Sequence, residues 1–154
     1  MEDQLAGELR QHESAVYTFF RRMGRQPADA ADLTQDTFLR AVAGADRFRF
    51  ESSYRTWLLG IARNIHREWI RRSYRNPQPT ADIEVGSVGN AGDATAVADA
   101  LERLALDDRE ILVLHYIEGL PSKEIAALLG ISDPAARQRL SRASAAFRDL
   151  WGER

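Results

Sequence analysis

The sequence predicts an all-α protein of two small helical domains joined by a flexible linker. Three observations carry this. Apolar residues recur at helical spacing along most of the 154 residues. No stretch alternates apolar and polar residues between hairpin turns, as half-buried strands do. The helical pattern stops at about Asn76 and resumes near Val97, and the prolines and glycines between them (Asn76 to Asp93) forbid a long helix. The expected organisation is therefore a first domain over 1–76, a linker over 77–96 and a second domain over 97–154.

Leu5, Leu9, Val16, Phe19, Phe20 and Met23 predict one first helix ending near Gly24. A second helix starts near Pro27 and ends at Gly44, with Ala30, Leu33, Phe38 and Ala41 on its core face. That geometry leaves Asp32, Gln35, Asp36 and Leu39 on the opposite face. A leucine among acids fits a protein-binding spot, and it equally fits a single surface leucine of the kind that needs no explanation.

A third helix is expected from about Ser53 to Arg75. Its core face would hold Tyr54, Trp57, Leu58, Ile61, Ile65 and Trp69. On another face Arg63, Arg67, Arg71 and Arg75 recur at every fourth residue. Like charges at that spacing repel by a few tenths of a kcal/mol per pair. A phosphate backbone would offset that repulsion, while a solvated face is the plainer reading of the same residues.

After the linker, Asp107 to Gly119 is expected to form one packing helix, and Ser122 to Ala143 then has the layout of a helix-turn-helix. Leu128 and Leu129 end one apolar face, Gly130 can take the left-handed conformation that closes a helix, and Ser132 or Asp133 can cap the next. Pro134 follows at a helix start, where proline is tolerated. Ala136, Leu140, Ala143, Phe147 and Leu150 then form a buried stripe, with Gln138 pointing away from it and Arg137, Ser141 and Arg142 flanking Gln138. Arg139 lies nearer the edge of this open side. Arginine pairs bidentately with guanine and glutamine with adenine, so the open face has the chemistry to read bases in the major groove.

Composition narrows the function classes. There is no cysteine, which excludes disulfides and the usual zinc-finger sites, and the three histidines are not at ligand spacing. No metal or other cofactor is expected. The longest apolar runs fall far short of the roughly 20 residues of a membrane span, and the N-terminus lacks the apolar core of a secretory signal. The expected location is the cytoplasm, without membrane insertion. With a net charge of −2, any nucleic-acid surface must be local.

With these residues in place, the chain resembles bacterial RNA polymerase sigma factors of the extracytoplasmic-function group (group 4) of the sigma-70 family. Asp32 to Arg40 resembles region 2.2, the helix that docks on the clamp helices of the polymerase largest subunit. The resemblance implies a polymerase contact through Asp32, Gln35, Asp36, Leu39 and Arg40. Thr56 to Asn64 resembles the motif spanning regions 2.3 and 2.4, where minus-10 DNA is opened and bound. The loop from Asp46 to Ser53 lies where the family captures a flipped base, at a cost of a few kcal/mol of stacking. Minus-10 contacts are thus implied for Arg47, Phe48, Arg49, Ser52, Arg63, Asn64, Arg67 and Arg71.

The C-terminal part resembles region 4, whose second helix reads the minus-35 element and whose domain meets the flap of the β subunit. It implies minus-35 contacts from Ser132, Ala135, Arg137, Gln138, Arg139, Ser141 and Arg142. The linker falls where family members thread an acidic segment through the polymerase cleft, and Asp82, Glu84 and Asp93 match that only modestly. Pro134, Ala135 and Ala136 depart from the family's usual glycine, threonine and valine, and Ser144 stands where an arginine is common. The end at Arg154 leaves no room for the extra C-terminal domain of some groups. An anti-sigma protein is a further partner the family often uses.

The implied function is to bind core RNA polymerase, direct it to a minus-35 and minus-10 promoter and help open the DNA, without a catalytic site. A stand-alone helix-turn-helix regulator would need a dimerisation surface and half-sites one helical turn apart, and the first 76 residues argue against it. A hydrolase using Asp32 and Asp36 as metal ligands lacks a third ligand, a base or a phosphate loop.

Overall fold

The computed structural model describes residues 2–48, 52–75 and 93–152, and among these every regular element is helical. The chain divides into two compact units, one of Met1–Arg21 with Arg25–Asp82 and one of Arg22–Gly24 with Ile83–Arg154.

The first unit is built from α1 (Glu2–Arg10), α2 (Glu13–Arg22), α3 (Pro27–Ala43) and α4 (Tyr54–Arg75), with a 3-10 turn at Ala45–Arg47. The single first helix expected from the sequence is thus two helices. The His12 amide turns back to the Leu9 carbonyl at 3.0 Å, and α2 restarts with Glu13 in its first turn, where a carboxylate suits the free amides. Leu9 and Val16 are both buried. Their seven-residue separation equals two helical turns, so the spacing carried no sign of the break.

In α3, Pro27 occupies the first turn, as proline favours. Ala30, Leu33 and Ala41 are buried as expected, but Phe38 is only half-buried. Thr34 and Thr37 are buried in its place. Each satisfies its hydroxyl by donating to the carbonyl four residues back, Thr34 to Ala30 at 2.6 Å and Thr37 to Leu33 at 2.8 Å.

The Ser53 hydroxyl accepts the Thr56 amide at 3.1 Å and starts α4. The buried face of this helix is rotated from the expected one. Leu58, Leu59, Ala62, Ile65 and His66 fill its centre, while Tyr54, Trp57, Ile61 and Trp69 are half-buried at its margins. Large rings at the margin bury much of their area and still leave an edge wet. His66 sits between the rings of Phe19 and Phe20, both 6.3 Å away, and Trp69 at 6.5 Å.

The second unit holds α5 (Asp93–Glu102), α6 (Leu106–Leu112), α7 (Ser122–Leu129) and α8 (Asp133–Gly152). Helix α5 begins at Asp93, four residues before the expected restart near Val97; residues 77–92 of the linker lie outside the described residues. The packing helix expected over Asp107 to Gly119 ends early. After α6 the chain widens into a π-type turn at Val113–Ile117, and the Glu118 amide reaches the Val113 carbonyl at 2.9 Å. Ile111, Leu112, Val113 and Leu114 are all buried. Four consecutive apolar residues exceed one helical stripe, and the wide turn leaves Tyr116 and Ile117 exposed. His115 Nδ1 lies 2.8 Å from the Leu120 carbonyl and ties the turn to the start of α7. Leu101, Ile125, Ala136, Leu140 and Ala143 join this core.

Candidate nucleic-acid interface

In the second unit the turn between α7 and α8 sets the angle of α8. Gly130 has φ 71° and ψ 35°, the left-handed conformation expected of it. Its amide meets the Ala127 carbonyl at 3.4 Å and the Ile131 amide meets that of Ala126 at 3.0 Å, the two bonds of a Schellman ending. Ser132, one of the two candidate caps, accepts the Ala135 amide on its hydroxyl at 3.2 Å. Asp133 instead accepts a 2.9 Å bond from the Ser122 hydroxyl, which ties the first residue of α8 to the first of α7. Ser122 and Asp133 are eleven residues apart. Local sequence carried no sign of that bond.

Helix α8 buries Ala136, Leu140 and Ala143, with Phe147 and Leu150 half-buried. Arg137, Gln138, Arg139, Ser141 and Arg142 are exposed, as is Ser132, while Ala135 is half-buried. No acidic residue lies between Pro134 and Arg148. This exposed side therefore presents donors and cations without a carboxylate to repel phosphate.

In the first unit, α3 presents Leu39 at 63% exposure. Asp32 and Gln35 are exposed beside it and Asp36 is partly exposed. Val42, one turn on, is 52% exposed, so the apolar spot is larger than the sequence suggested. Arg40 does not project freely. It holds Glu68 of α4 through contacts of 2.9 and 3.3 Å and Asp36 at 3.5 Å. Bonding to Arg40 keeps the Glu68 carboxyl below the usual carboxylate range. A groove of about 920 Å³ adjoins this face, with Leu9, Tyr17, Phe38 and Val42 among its lining.

On α4, Asn64 and Arg71 are exposed and Arg63 and Arg67 half-buried. Arg47 is exposed, and Ser52 is half-buried with its hydroxyl 3.2 Å from the Ser53 carbonyl. Phe48 packs back on α4, its ring centroid 4.7 Å from Tyr54 and 4.9 Å from Trp57. Arg49 lies outside the described residues. At the margin of the core the Arg25 guanidinium stands 4.3 Å above the Trp69 ring. Among the described residues no three His, Cys, Asp or Glu side chains gather as a metal site, and no helix is long and apolar enough to cross a membrane.

Two known families match these units in order, Sigma-70 region 2 over residues 9–76 and Sigma-70, region 4 over residues 94–147. The RNA polymerase sigma factor CarQ of Myxococcus xanthus is 35% identical over 149 residues, covering 92% of this chain and 86% of CarQ. The chain belongs to the sigma-70 family, in its extracytoplasmic-function group. The ECF RNA polymerase sigma factor SigM of Mycobacterium tuberculosis is 30% identical over 155 residues, covering 97% of this chain and 76% of SigM. Among solved structures, the sigma factor RpoE in complex with the anti-sigma factor NepR from Bartonella quintana superposes with a TM-score of 0.79 at 27% identity, covering 96% of each chain. Curated relatives differ in length, and this sigma factor spans 34% of one and 86% of another. Sigma factors serve RNA polymerase in transcription initiation, and membership of that family disfavours a stand-alone regulator.

Proposed function

We propose that this sigma factor binds core RNA polymerase through α3, reads a minus-35 element with α8, and opens and holds the minus-10 element with α4 and the loop before it. Two faces of opposite character in the first unit carry the reading: an exposed leucine among acids on α3 and an arginine stripe on α4. Leu39 and Val42 supply apolar area to the clamp helices of the largest subunit, with Asp32, Gln35 and Asp36 around them. Arg40 contributes by fixing Glu68 and only at its edge to the polymerase.

In the minus-10 region, Arg63, Arg67 and Arg71 hold phosphates, and Asn64 with Arg47 and Ser52 surrounds the extruded base. Phe48 is stacked on Tyr54 and Trp57 of α4 and is not a free wedge. In the second unit, Gln138 with Arg137, Arg139 and Arg142 reads base edges, while Ser132, Ala135 and Ser141 contact the backbone and thymine methyls. Tyr116, 67% exposed, and Ile117 offer an apolar spot to the β-subunit flap.

The factor brings no catalytic group of its own and acts in the cytoplasm on the polymerase's chemistry. The solved RpoE relative is held by an anti-sigma factor. A protein of that kind covering Leu39 and Val42 would compete directly with polymerase for α3.

Size-exclusion chromatography with bacterial core polymerase tests the reading. The wild-type chain is expected to co-migrate, and Leu39→Glu to bind at least about tenfold more weakly, roughly 1.4 kcal/mol, with an unchanged helical spectrum. Equal binding by a folded Leu39→Glu would refute the α3 interface.

A further inference from the structure

The exposed aromatic at the far end of α4 has no part in the interfaces above. Tyr74 is 85% exposed, the highest value among the exposed large hydrophobic residues described. A lone surface tyrosine is ordinary, but its position on the helix is not. At about 100° per residue, Tyr74 lies some 20° from Arg67 and 60° from Arg71 around α4, on the side away from Leu58, Ala62 and Ile65. It stands about 10 Å beyond Arg67 and 4.5 Å beyond Arg71 along the axis. The ring therefore interleaves with the arginine stripe.

A second observation concerns the neighbouring face of α4, with Glu68 about 120° around the helix from Tyr74. Glu68 is the one carboxylate on α4. Its two oxygens are taken by Arg40 at 3.3 and 2.9 Å, and Arg72 stands 3.7 Å away. The acid that would repel a phosphate backbone is thereby ion-paired, and it lines a shallow recess of about 320 Å³ together with Arg71, Arg72 and Arg75. Cations that track a backbone, with an aromatic ring set among them, are the elements of single-strand recognition. The other rings of α4 are committed elsewhere, Tyr54 and Trp57 to Phe48, and Trp69 to Arg25 and His66.

We propose that Tyr74 is a stacking platform for an unpaired base, which extends the minus-10 face along α4 and favours separated strands over duplex. This rests on the minus-10 reading of α4 given above. The ring offers its π-face to any base, so its contribution is tolerant of sequence and specific to single strands.

The test uses holoenzyme reconstituted from the full chain and core polymerase, with core alone as baseline. The probe is a twelve-nucleotide thymidine strand carrying one 2-aminopurine, free or annealed to its complement. Wild-type holoenzyme should quench the fluorophore by stacking. Tyr74→Ala should bind the single strand about 5- to 150-fold more weakly, the range that ~1–3 kcal/mol per stacked base gives. It should lose duplex affinity far less, and Tyr74→Phe should restore both affinity and quenching. Arg67→Ala should instead weaken strand and duplex alike and flatten the salt dependence. If Tyr74→Ala keeps the wild-type strand affinity and quenching while Arg67→Ala loses affinity, the platform is overturned and the minus-10 reading stands. If the wild-type holoenzyme binds the strand no better than core alone, both fall.

Discussion

Arg40 on α3 grips Glu68 on α4 with both terminal guanidinium nitrogens, 28 residues apart in sequence. The contact joins the helix proposed to meet polymerase with the helix proposed to meet DNA. Its geometry is bidentate, the form in which a charge-assisted pair gains most specificity. Both partners are partly exposed, so solvent screening limits its contribution to stability to about 0–1 kcal/mol.

Glu68→Gln should therefore lower the thermal midpoint slightly at neutral pH while raising non-specific DNA affinity, because a negative charge leaves the arginine stripe. The Glu68 carboxyl is held below its ordinary 4.5 by Arg40, so its contribution is present above that pH and is lost as pH falls through the lowered value. Melting curves of both proteins at neutral and strongly acidic pH should converge on acidification. A constant difference would show that the charge pair is not the cause.

Gln138 should carry sequence information and little general affinity. Gln138→Ala is expected to cost about 1–3 kcal/mol at a single base pair of the minus-35 element and to relax specificity there. Binding measured across a set of point-substituted promoters checks this. Equal losses on every promoter would remove the role.

Gly130 is at φ 71°, where an L residue is strained. A Cβ there meets nothing within 4 Å, so the cost of Gly130→Ala is conformational, about 1–2 kcal/mol. The loss should appear in denaturant unfolding of the second unit. An unchanged midpoint would mean that the turn relaxes away from its left-handed geometry.

The His12 imidazole is pushed below its ordinary 6.5 by burial and then by the Arg55 cation, with Glu8 opposing weakly. The unfolded chain thus takes up this proton more readily than the folded one. Stability from His12 is full above about pH 6.5 and falls as pH drops into the lowered range. His12→Gln should make the thermal midpoint of the first unit less sensitive to acidification between pH of about 7.5 and 5. Identical slopes would exclude His12 as the source.

Local chemistry was legible in the sequence and distant chemistry was not. Gly130 announced its turn because only glycine takes a left-handed conformation freely, and the buried Ala136, Leu140 and Ala143 followed from helical spacing. The break at Gln11 and His12 escaped because Leu9 and Val16 are spaced alike in a broken and an unbroken helix. The wide turn after α6 escaped because a continuous apolar run does not specify its pitch. On α4, ring size drew the expected core towards Trp57 and Trp69, although Ala62 and His66 hold its centre. Arg40, read as a polymerase contact, spends its donors on Glu68, and the bond from Ser122 to Asp133 likewise joins residues that no periodicity relates. Leu39 and the exposed arginines and glutamine of α8 were legible because a helix fixes which residues oppose its core.

Run-off transcription tests the central claim most directly. Core polymerase, with and without this chain, would be presented with a library of random upstream sequences, and the transcribed templates sequenced. The expected result is that the chain confers new start sites whose templates share a minus-35 and a minus-10 element at fixed separation. No chain-dependent start sites, together with binding of the free chain as a dimer to palindromic sites, would contradict it.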